Sequence, residues 1–352
     1  MPELRKDPVL DRWIIIAQER SKRPTDFFVA QKVKGQGGFC PLCPGNEHTT
    51  PHEVLVYGRP PGAPADSSGW QVRVVPNKFP ALVIEGDLDK QGEGLYDRMN
   101  GIGAHEVIID TPDHDTRFVD LPPEHLRLVF GAFQSRIRDL SRDRRFNYAV
   151  VFKNHGSAAG ASLEHSHAQL IALPVLPRLI ANELQGSLSY YKYKDRCIFC
   201  DIIRQELQQD VRLVCKNERF VAVTPFAPRS PFEVWILPRS HSSSFIDMPE
   251  SWMDDLTRLF SETMRRLDGC VPDIPYNFLL HTQPLRSEPL DHYHWHFEIV
   301  PKLTSIAGFE WGSGFYINPL PPELSCTFLK DVKLDDPKAA GQDADKAEKS
   351  KP

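Results

Sequence analysis

The chain has 352 residues, and its 42 Lys and Arg against 47 Asp and Glu give a formal net charge of −5. Hydrophobic residues make up 41% and charged residues 25%, which is ordinary for a globular protein and excludes wholesale disorder and a strongly basic nucleic-acid binder. Apolar runs reach only strand length, so we expect no membrane span. The charged N-terminus lacks the apolar stretch of a signal peptide, which indicates a cytoplasmic protein.

Strand and helix signals occur in the same order in each half of the chain. Runs rich in aromatic and β-branched residues predict strands, and apolar residues at helical spacing predict amphipathic helices that begin near proline. The predicted strands span residues 107–110, 146–153, 169–173, 234–237, 276–281 and 297–300, and the predicted helices span 122–140 and 249–267. Each half therefore reads as an antiparallel sheet with packed helices, an α+β fold.

A repeated order of cysteines and histidines gives the domain organisation. A Cys-x-x-Cys pair, a single His and a His-x-His run follow one another twice, and the interval from the single His to the His-x-His run is nearly equal in the two halves. An extra loop in the first half explains its longer interval before the single His. We predict a duplicated fold with an N-terminal half at 1–185, a C-terminal half at 186–330, a boundary in the polar stretch 181–195 and a disordered tail at 331–352.

The spacing of the repeat predicts two metal sites. Zinc takes thiolates and imidazole nitrogens in a tetrahedral Cys₂His₂ shell, so we expect two zinc ions per chain. The first predicted site is Cys40, Cys43, His114 and His165, and the second is Cys197, Cys200, His241 and His294. The alternatives are redox-active or unpaired buried thiols and, for the second site, an iron or zinc set of Glu183, His281, His294 and His296.

The segment 153–162 is dense in small residues and lies between a predicted strand and the first His-x-His run. Such a loop lets backbone amides approach phosphate oxygens. On an extended segment His165, His167 and Gln169 share one face. With His165 on the metal, His167 is free to attack a phosphorus and form a phosphoramidate, and Gln169 can hydrogen-bond the phosphoryl oxygens. The alternatives are that both histidines bind metal or that one is a buried structural residue.

From about residue 5 to 323 the sequence resembles the galactose-1-phosphate uridylyltransferase family of the histidine-triad superfamily. The resemblance rests on RKDPVLDRWIIIAQERSKRP, CPLCPGNE, VRVVPNKFP, PDH, FKNHGSAAGASLEHSHAQ, HWHFEIVP and GFYINP. It implies a duplicated histidine-triad-type fold and ping-pong chemistry, in which a nucleotide sugar gives its nucleoside monophosphate to a histidine and a second phosphate-bearing substrate then takes it. The resemblance also implies a homodimer.

The resemblance assigns roles to individual residues. It implies that His167 is the nucleophile and that Gln169 holds the α-phosphate, in a pattern that favours transfer over hydrolysis. The implied substrate contacts are Asn77 for the nucleoside, Asn154 and Ser162 for phosphate, and Glu310, Gly312 and Gly314 for the hexose, the last three acting across the dimer.

One departure bears on the substrate. The chain has His-Ser-His at the nucleophile, where the uridylyltransferases usually have His-Pro-His, and in this it resembles the ADP-glucose phosphorylase-like branch. We expect transfer of UDP-hexose type to galactose 1-phosphate in hexose metabolism. The alternatives are ADP-glucose phosphorolysis, with an adenylyl-histidine and phosphate as acceptor, and a non-catalytic zinc-stabilised nucleotide-binding protein.

Overall fold

The computed structural model describes residues 1–17, 23–27 and 38–334. Fifteen strands and six helices are described in these ranges. The strands are β1 (Glu3–Lys6), β2 (Trp13–Ile16), β3 (Leu55–Tyr57), β4 (Val72–Pro76), β5 (Gln91–Glu93), β6 (Tyr96–Arg98), β7 (Ala104–Ile109), β8 (Tyr148–His155), β9 (His167–Leu173), β10 (Leu213–Lys216), β11 (Phe220–Val223), β12 (Val234–Pro238), β13 (Tyr276–His281), β14 (His296–Pro301) and β15 (Tyr316–Asn318). The helices are α1 (Pro123–Leu140), α2 (Arg178–Lys194), α3 (Ile198–Gln209), α4 (Met253–Cys270), α5 (Gly308–Ser313) and α6 (Pro322–Asp331).

One ten-stranded sheet runs through both halves of the chain, in the order β10-β11-β12-β14-β13-β8-β9-β7-β4-β3. Every neighbouring pair in it is antiparallel. The first half contributes β3, β4, β7, β8 and β9, and the second contributes β10 to β14 with the same connections. The halves meet where β8 pairs with β13, with Leu280 opposite Val151 and Tyr276 opposite His155. The predicted α+β class with two related antiparallel halves is confirmed, and the halves form one continuous sheet.

The main core lies between one face of the sheet and the helices α1 and α4, which pack against each other. The apolar residues of α1 recur at helical spacing and are buried, as are those of α4. Aromatic rings fill the space between helix and sheet; Phe130 contacts Phe260 edge-on, with ring centroids 5.0 Å apart, and stacks on Phe297 at 5.4 Å. Because both helices cover the same face, the opposite face is left for other elements and for the site.

The predicted boundary segment 181–195 lies almost wholly in α2, so its polar character marks a half-exposed helix and its Gly186 is helical. A Cβ on Gly186 would lie 1.8 Å from the carbonyl oxygen of Val9. The glycine is therefore a close-approach residue that lets the N-terminal segment pack on α2. Val9 lies in the turn that connects β1 and β2, and these two strands form a three-stranded sheet with β15.

The observed ends of the strands and helices test the secondary structure that the sequence predicts. The six predicted strands are present, although β7 begins three residues and β9 two residues earlier than predicted and β8 is shifted by two residues. The second predicted helix begins at Met253 after a short 3₁₀ turn. The longer first half contains the exposed hairpin β5–β6. Of the predicted disordered tail, residues 331–334 are described, and 335–352 lie outside the described residues, as do residues 18–22 of the first resemblance motif. Among the described residues, none of the helices combines the length and apolar character that a membrane span requires.

Candidate active site and metal centres

Cys40, Cys43, His114 and His165 come together at one end of the first half, with their ligand atoms all within 4.8 Å of one another. The two cysteines lie in a turn before β3, His114 follows β7 and His165 precedes β9. The Cys43 sulfur is 3.3 Å from Nδ1 of His114 and 3.5 Å from Nδ1 of His165, and the Cys40 sulfur is 3.7 Å from Nδ1 of His165.

These distances fit the edges of a zinc tetrahedron. Bonds of about 2.3 Å to sulfur and about 2.0 Å to nitrogen place neighbouring sulfur and nitrogen ligands about 3.5 Å apart. The ring of His165 is oriented for this role, because its Nε2–H donates to the carbonyl of Thr111 at 2.7 Å and leaves the Nδ1 lone pair facing the sulfurs. A backbone carbonyl in this position is a common outer partner of a metal-binding histidine.

The second half repeats this arrangement with Cys197, Cys200, His241 and His294. The Cys200 sulfur lies 3.5 Å from Nδ1 of His241 and 3.7 Å from Nδ1 of His294. The Nε2 atoms of these histidines lie 3.1 Å and 2.8 Å from the backbone carbonyls of Leu290 and Pro238. The two histidine rings are edge-to-face with centroids 5.4 Å apart, against 5.3 Å for the pair in the first half. Both groups therefore offer four ligands in one geometry.

A third group is fully buried and consists of Glu183, His281, His296 and Glu298. The alternative set predicted from sequence combined His294 with three of these residues. That combination is wrong as a single group, because His294 faces Cys200 and Glu298 takes the remaining place. Glu183 accepts from Nδ1 of His281 at 3.0 Å. Burial by itself would raise the pKa of Glu298, but the neighbouring Arg229 guanidinium lowers this pKa to about 2.

His167 begins β9 and lines a cavity of about 1410 Å³. Its Nδ1–H donates to the carbonyl of His165 at 2.8 Å, which fixes the tautomer and leaves the Nε2 lone pair unprotonated. Burial lowers the pKa of His167, and the Lys153 ammonium nearby acts in the same direction. A neutral imidazole with a free lone pair is the nucleophilic form.

The small-residue segment forms the wall of the cavity beside His167. Gly156 has a φ of 79°, and a Cβ there would lie 2.9 Å from the ring of Pro275. After a short 3₁₀ turn Gly160 is left-handed, with a φ of 85°. Asn277 donates to the carbonyl of Ala159 at 2.9 Å and so ties the loop to β13. Asn154 and Ser162, which the sequence predicts to contact phosphate, line the same cavity as His167.

A buried polar cluster supports the start of β9, where His167 lies, from the helix side of the sheet. The Lys153 ammonium donates to Asp110 at 2.6 Å, to the Ser166 hydroxyl at 3.0 Å and to the carbonyl of His167 at 2.8 Å. Ser166 also donates to Asp110, at 3.0 Å. Ser166 is the residue that stands in place of the usual proline, and its hydroxyl is part of the support beneath His167.

Gln169 and Asn77 do not line the cavity but meet beside it at His105. Nε2 of His105 lies 2.8 Å from Oε1 of Gln169 and 3.2 Å from Nδ2 of Asn77. His105 was not among the predicted site residues, since a single histidine on a strand carries no motif.

The expected hexose-binding residues lie on a separate part of the surface. Glu310 lines a second cavity of about 330 Å³ that shares Asn154 with the first. Gly312 is exposed in α5, and Gly314 ends that helix with a φ of 73°. Of these three residues, Glu310 is the one that lines this second cavity, which adjoins the small-residue segment at Asn154.

Comparison with known proteins assigns the family. The model of the galactose-1-phosphate uridyl transferase N-terminal domain matches residues 1–177, and that of the C-terminal domain matches residues 183–313. The chain belongs to the galactose-1-phosphate uridylyltransferase family. Membership identifies the protein as an enzyme of the nucleotidyltransferase class.

Curated relatives within this uridylyltransferase family carry two different activities. An ADP-glucose phosphorylase of Arabidopsis thaliana is 35% identical over 95% of this chain and 93% of the relative. A galactose-1-phosphate uridylyltransferase of Thermotoga maritima is 27% identical over 95% of this chain and 100% of the relative. The crystal structure of an A. thaliana ADP-glucose phosphorylase with bound ADP-glucose superposes with a TM-score of 0.80 at 33% identity, covering 95% of this chain and 100% of that one.

Proposed function

We propose that this enzyme transfers the nucleoside monophosphate of a nucleotide sugar to a phosphate-bearing acceptor by way of a nucleotidyl group on His167. The observation that carries the proposal is the geometry of His167. One of its ring nitrogens is held by a backbone carbonyl, and the other faces a large cavity lined by a glycine-rich loop.

The proposed reaction has two matched steps. Nε2 of His167 attacks the α-phosphorus and forms a P–N bond, while the bond to the bridging oxygen breaks and sugar 1-phosphate leaves. An acceptor phosphate oxygen then attacks the same phosphorus and breaks the P–N bond, which restores the imidazole. The positive charge that the ring acquires is stabilised by the Nδ1–H donated to the carbonyl of His165. Asn154 and Ser162 line the cavity that would hold the phosphates, and the amide of Gln169 would donate a hydrogen bond to a phosphoryl oxygen without itself titrating.

The Cys₂His₂ groups fit zinc, and we propose that each holds one ion. A shell closed by four protein ligands leaves no position for substrate, so the zinc would stabilise the fold. In the first group the ion would fix His165, which accepts the Nδ1–H of His167 at its carbonyl. The second group would hold zinc in the same way, with iron as the alternative metal there. Zinc content measured by atomic emission, near two per chain, tests this count.

For the transferred nucleotide we propose AMP, with ADP-glucose as donor and inorganic phosphate as acceptor. The support is that this chain is more similar to the Arabidopsis ADP-glucose phosphorylase than to the Thermotoga uridylyltransferase. The His-Ser-His sequence of this chain also resembles the ADP-glucose phosphorylase-like branch. The second candidate is UMP transfer from UDP-glucose to galactose 1-phosphate, supported by the family and by relatives such as the Thermotoga enzyme. We also propose that the enzyme is a homodimer, in which Glu310, Gly312 and Gly314 of one chain contact the hexose bound to the other chain. We propose that the enzyme acts in the cytoplasm.

The decisive experiment is intact-protein mass spectrometry after brief incubation with ADP-glucose or with UDP-glucose. We expect an adenylyl adduct that disappears when phosphate is added, and no adduct in the variant His167→Gly, whose zinc content should remain that of the wild type. A uridylyl adduct alone would favour the second candidate. The absence of an adduct with both donors would refute the proposed reaction and favour the non-catalytic interpretation.

A further inference from the structure

His105 occupies a position that links the two sides of the proposed substrate site. It lies on β7, which pairs with β9 so that Val107 is opposite Gln169 and His105 is opposite Ile171. Side chains two residues apart on a strand share a face, so His105 is the diagonal neighbour of Gln169. On its other side, β4 ends at Pro76, and the backbone N–H of Asn77 donates to the carbonyl of His105 at 2.7 Å.

The hydrogen bonds of the imidazole determine its tautomer. The backbone N–H of Ala81 donates to Nδ1 at 3.1 Å, so Nδ1 is unprotonated and Nε2 carries the proton in the neutral ring. The Nε2–H therefore donates to Oε1 of Gln169 at 2.8 Å. Asn77 has its own Oδ1 occupied by the N–H of Phe79 at 2.9 Å, so it presents its NH₂ group beside the same imidazole nitrogen.

This arrangement also fixes the direction of the Gln169 amide. An amide that accepts through Oε1 from His105 must turn its NH₂ group away from His105. Within the described residues, no protein acceptor for this NH₂ group is found. Its strand position, two residues from His167 on the same face, directs it toward the phosphoryl group that His167 would carry.

We propose that His105 is a positioning residue that holds the Gln169 amide with its NH₂ group toward the phosphoryl oxygens. The inference rests on the proposed function, in which Gln169 contacts the transferred phosphoryl group. Without the donor at Nε2 of His105, the amide is free to rotate and can turn its carbonyl oxygen toward the phosphate, where it repels the negative charge that builds up in the transition state.

The test compares two substitutions of similar size, His105→Gln and His105→Met, of which only the first carries a donor. The measurement is the single-turnover rate of nucleotidyl-enzyme formation with ADP-glucose, or with UDP-glucose if that is the donor that labels the wild type. We expect His105→Met to be slower by up to about 100-fold, the effect that a misplacement of about 1 Å can have on a reaction, and His105→Gln to stay within about threefold of the wild type. The dissociation constant of the nucleotide sugar should change little, because Asn154 and Ser162 remain.

A double variant separates positioning from a general structural effect. In a Gln169→Ala background, His105→Met should slow the reaction by less than about twofold further, because the residue through which it acts is gone. Should His105→Met fail to fold, His105→Glu replaces it; the carboxylate attracts the NH₂ group of Gln169 to itself and should slow the reaction at least as much. Near-ultraviolet circular dichroism and zinc content verify the fold of each variant.

Three results would overturn the inference. These are equal rates for the Gln and Met variants, full additivity in the double variant, and a wild-type rate in His105→Met. A wild-type enzyme that labels with neither donor would instead overturn the proposed function and the inference with it, so the two failures are distinguishable.

Discussion

Replacing Lys153 with methionine tests how much the buried polar cluster beneath β9 stabilises the protein. Lys153 is 2% exposed and Asp110 is fully buried. The ammonium makes three hydrogen bonds there, and Oδ1 of Asp110 has no partner in the described residues, so the carboxylate depends on Lys153 and Ser166 for its stabilisation. Methionine keeps the length and apolar character of the stem but leaves that carboxylate without its counter-charge.

Breaking a buried ion pair by removing one partner costs about 3–5 kcal/mol, and we expect Lys153→Met to lower the free energy of unfolding by about this amount. Urea denaturation followed by tryptophan fluorescence measures the change. The control Lys192→Met, at an exposed position of α2, should stay within about 0.5 kcal/mol of the wild type. Adding Asp110→Asn should recover part of the loss, because the uncompensated charge is removed. A loss below about 1 kcal/mol in Lys153→Met, or no recovery in the double variant, would refute the reasoning.

Three further perturbations test other parts of the structure. Cys200→Ser should reduce the zinc content by about one ion per chain, and an unchanged metal content by atomic emission would contradict the second site. Gly186→Ala should destabilise the protein by about 1–3 kcal/mol through overpacking against Val9, and a wild-type unfolding midpoint would contradict the close approach. Burial by itself would raise the pKa of Asp66, but hydrogen bonds from His52, a backbone amide and Arg73 lower this pKa to about 2. Stability from this group is therefore full above about pH 4 and is lost as the pH falls toward 2. Asp66→Asn should flatten the fall of the thermal midpoint over that interval, and an identical acid profile would contradict it.

The parts of the site that recur in both halves of the chain could be predicted from the sequence. Cys-x-x-Cys pairs and paired histidines identify the two four-residue groups because their ligands follow strands that recur in the same order. The positions of β13 and α1 follow from local apolar spacing, which needs no knowledge of the partner strand.

Contacts that depend on register were not predictable in this way. His105 meets Gln169 through a diagonal contact between β7 and β9, and Lys153 reaches Asp110 across strands that are far apart in sequence. The close approach at Gly186 was not predictable either, because the sequence does not show that the backbone of Val9 lies against it. Glu298 was not predicted as a member of the third group for a similar reason, because its neighbours Glu183 and His281 come from α2 and β13.

The pairing of β8 with β13 has a consequence for any attempt to divide the chain. A fragment ending at residue 177 would expose β8 as an unprotected sheet edge, and the remaining fragment would expose β13. Such edges recruit other strands, so each half acts as the edge cover of the other and the chain is in effect a dimer within one polypeptide. Covalent linkage fixes the ratio of the two copies at one to one. His296, which matches His167 in the repeat, is packed between the rings of Phe199 and Trp235, whereas His167 lines a cavity; the second half therefore completes the sheet while the first half keeps the histidine that lines the cavity.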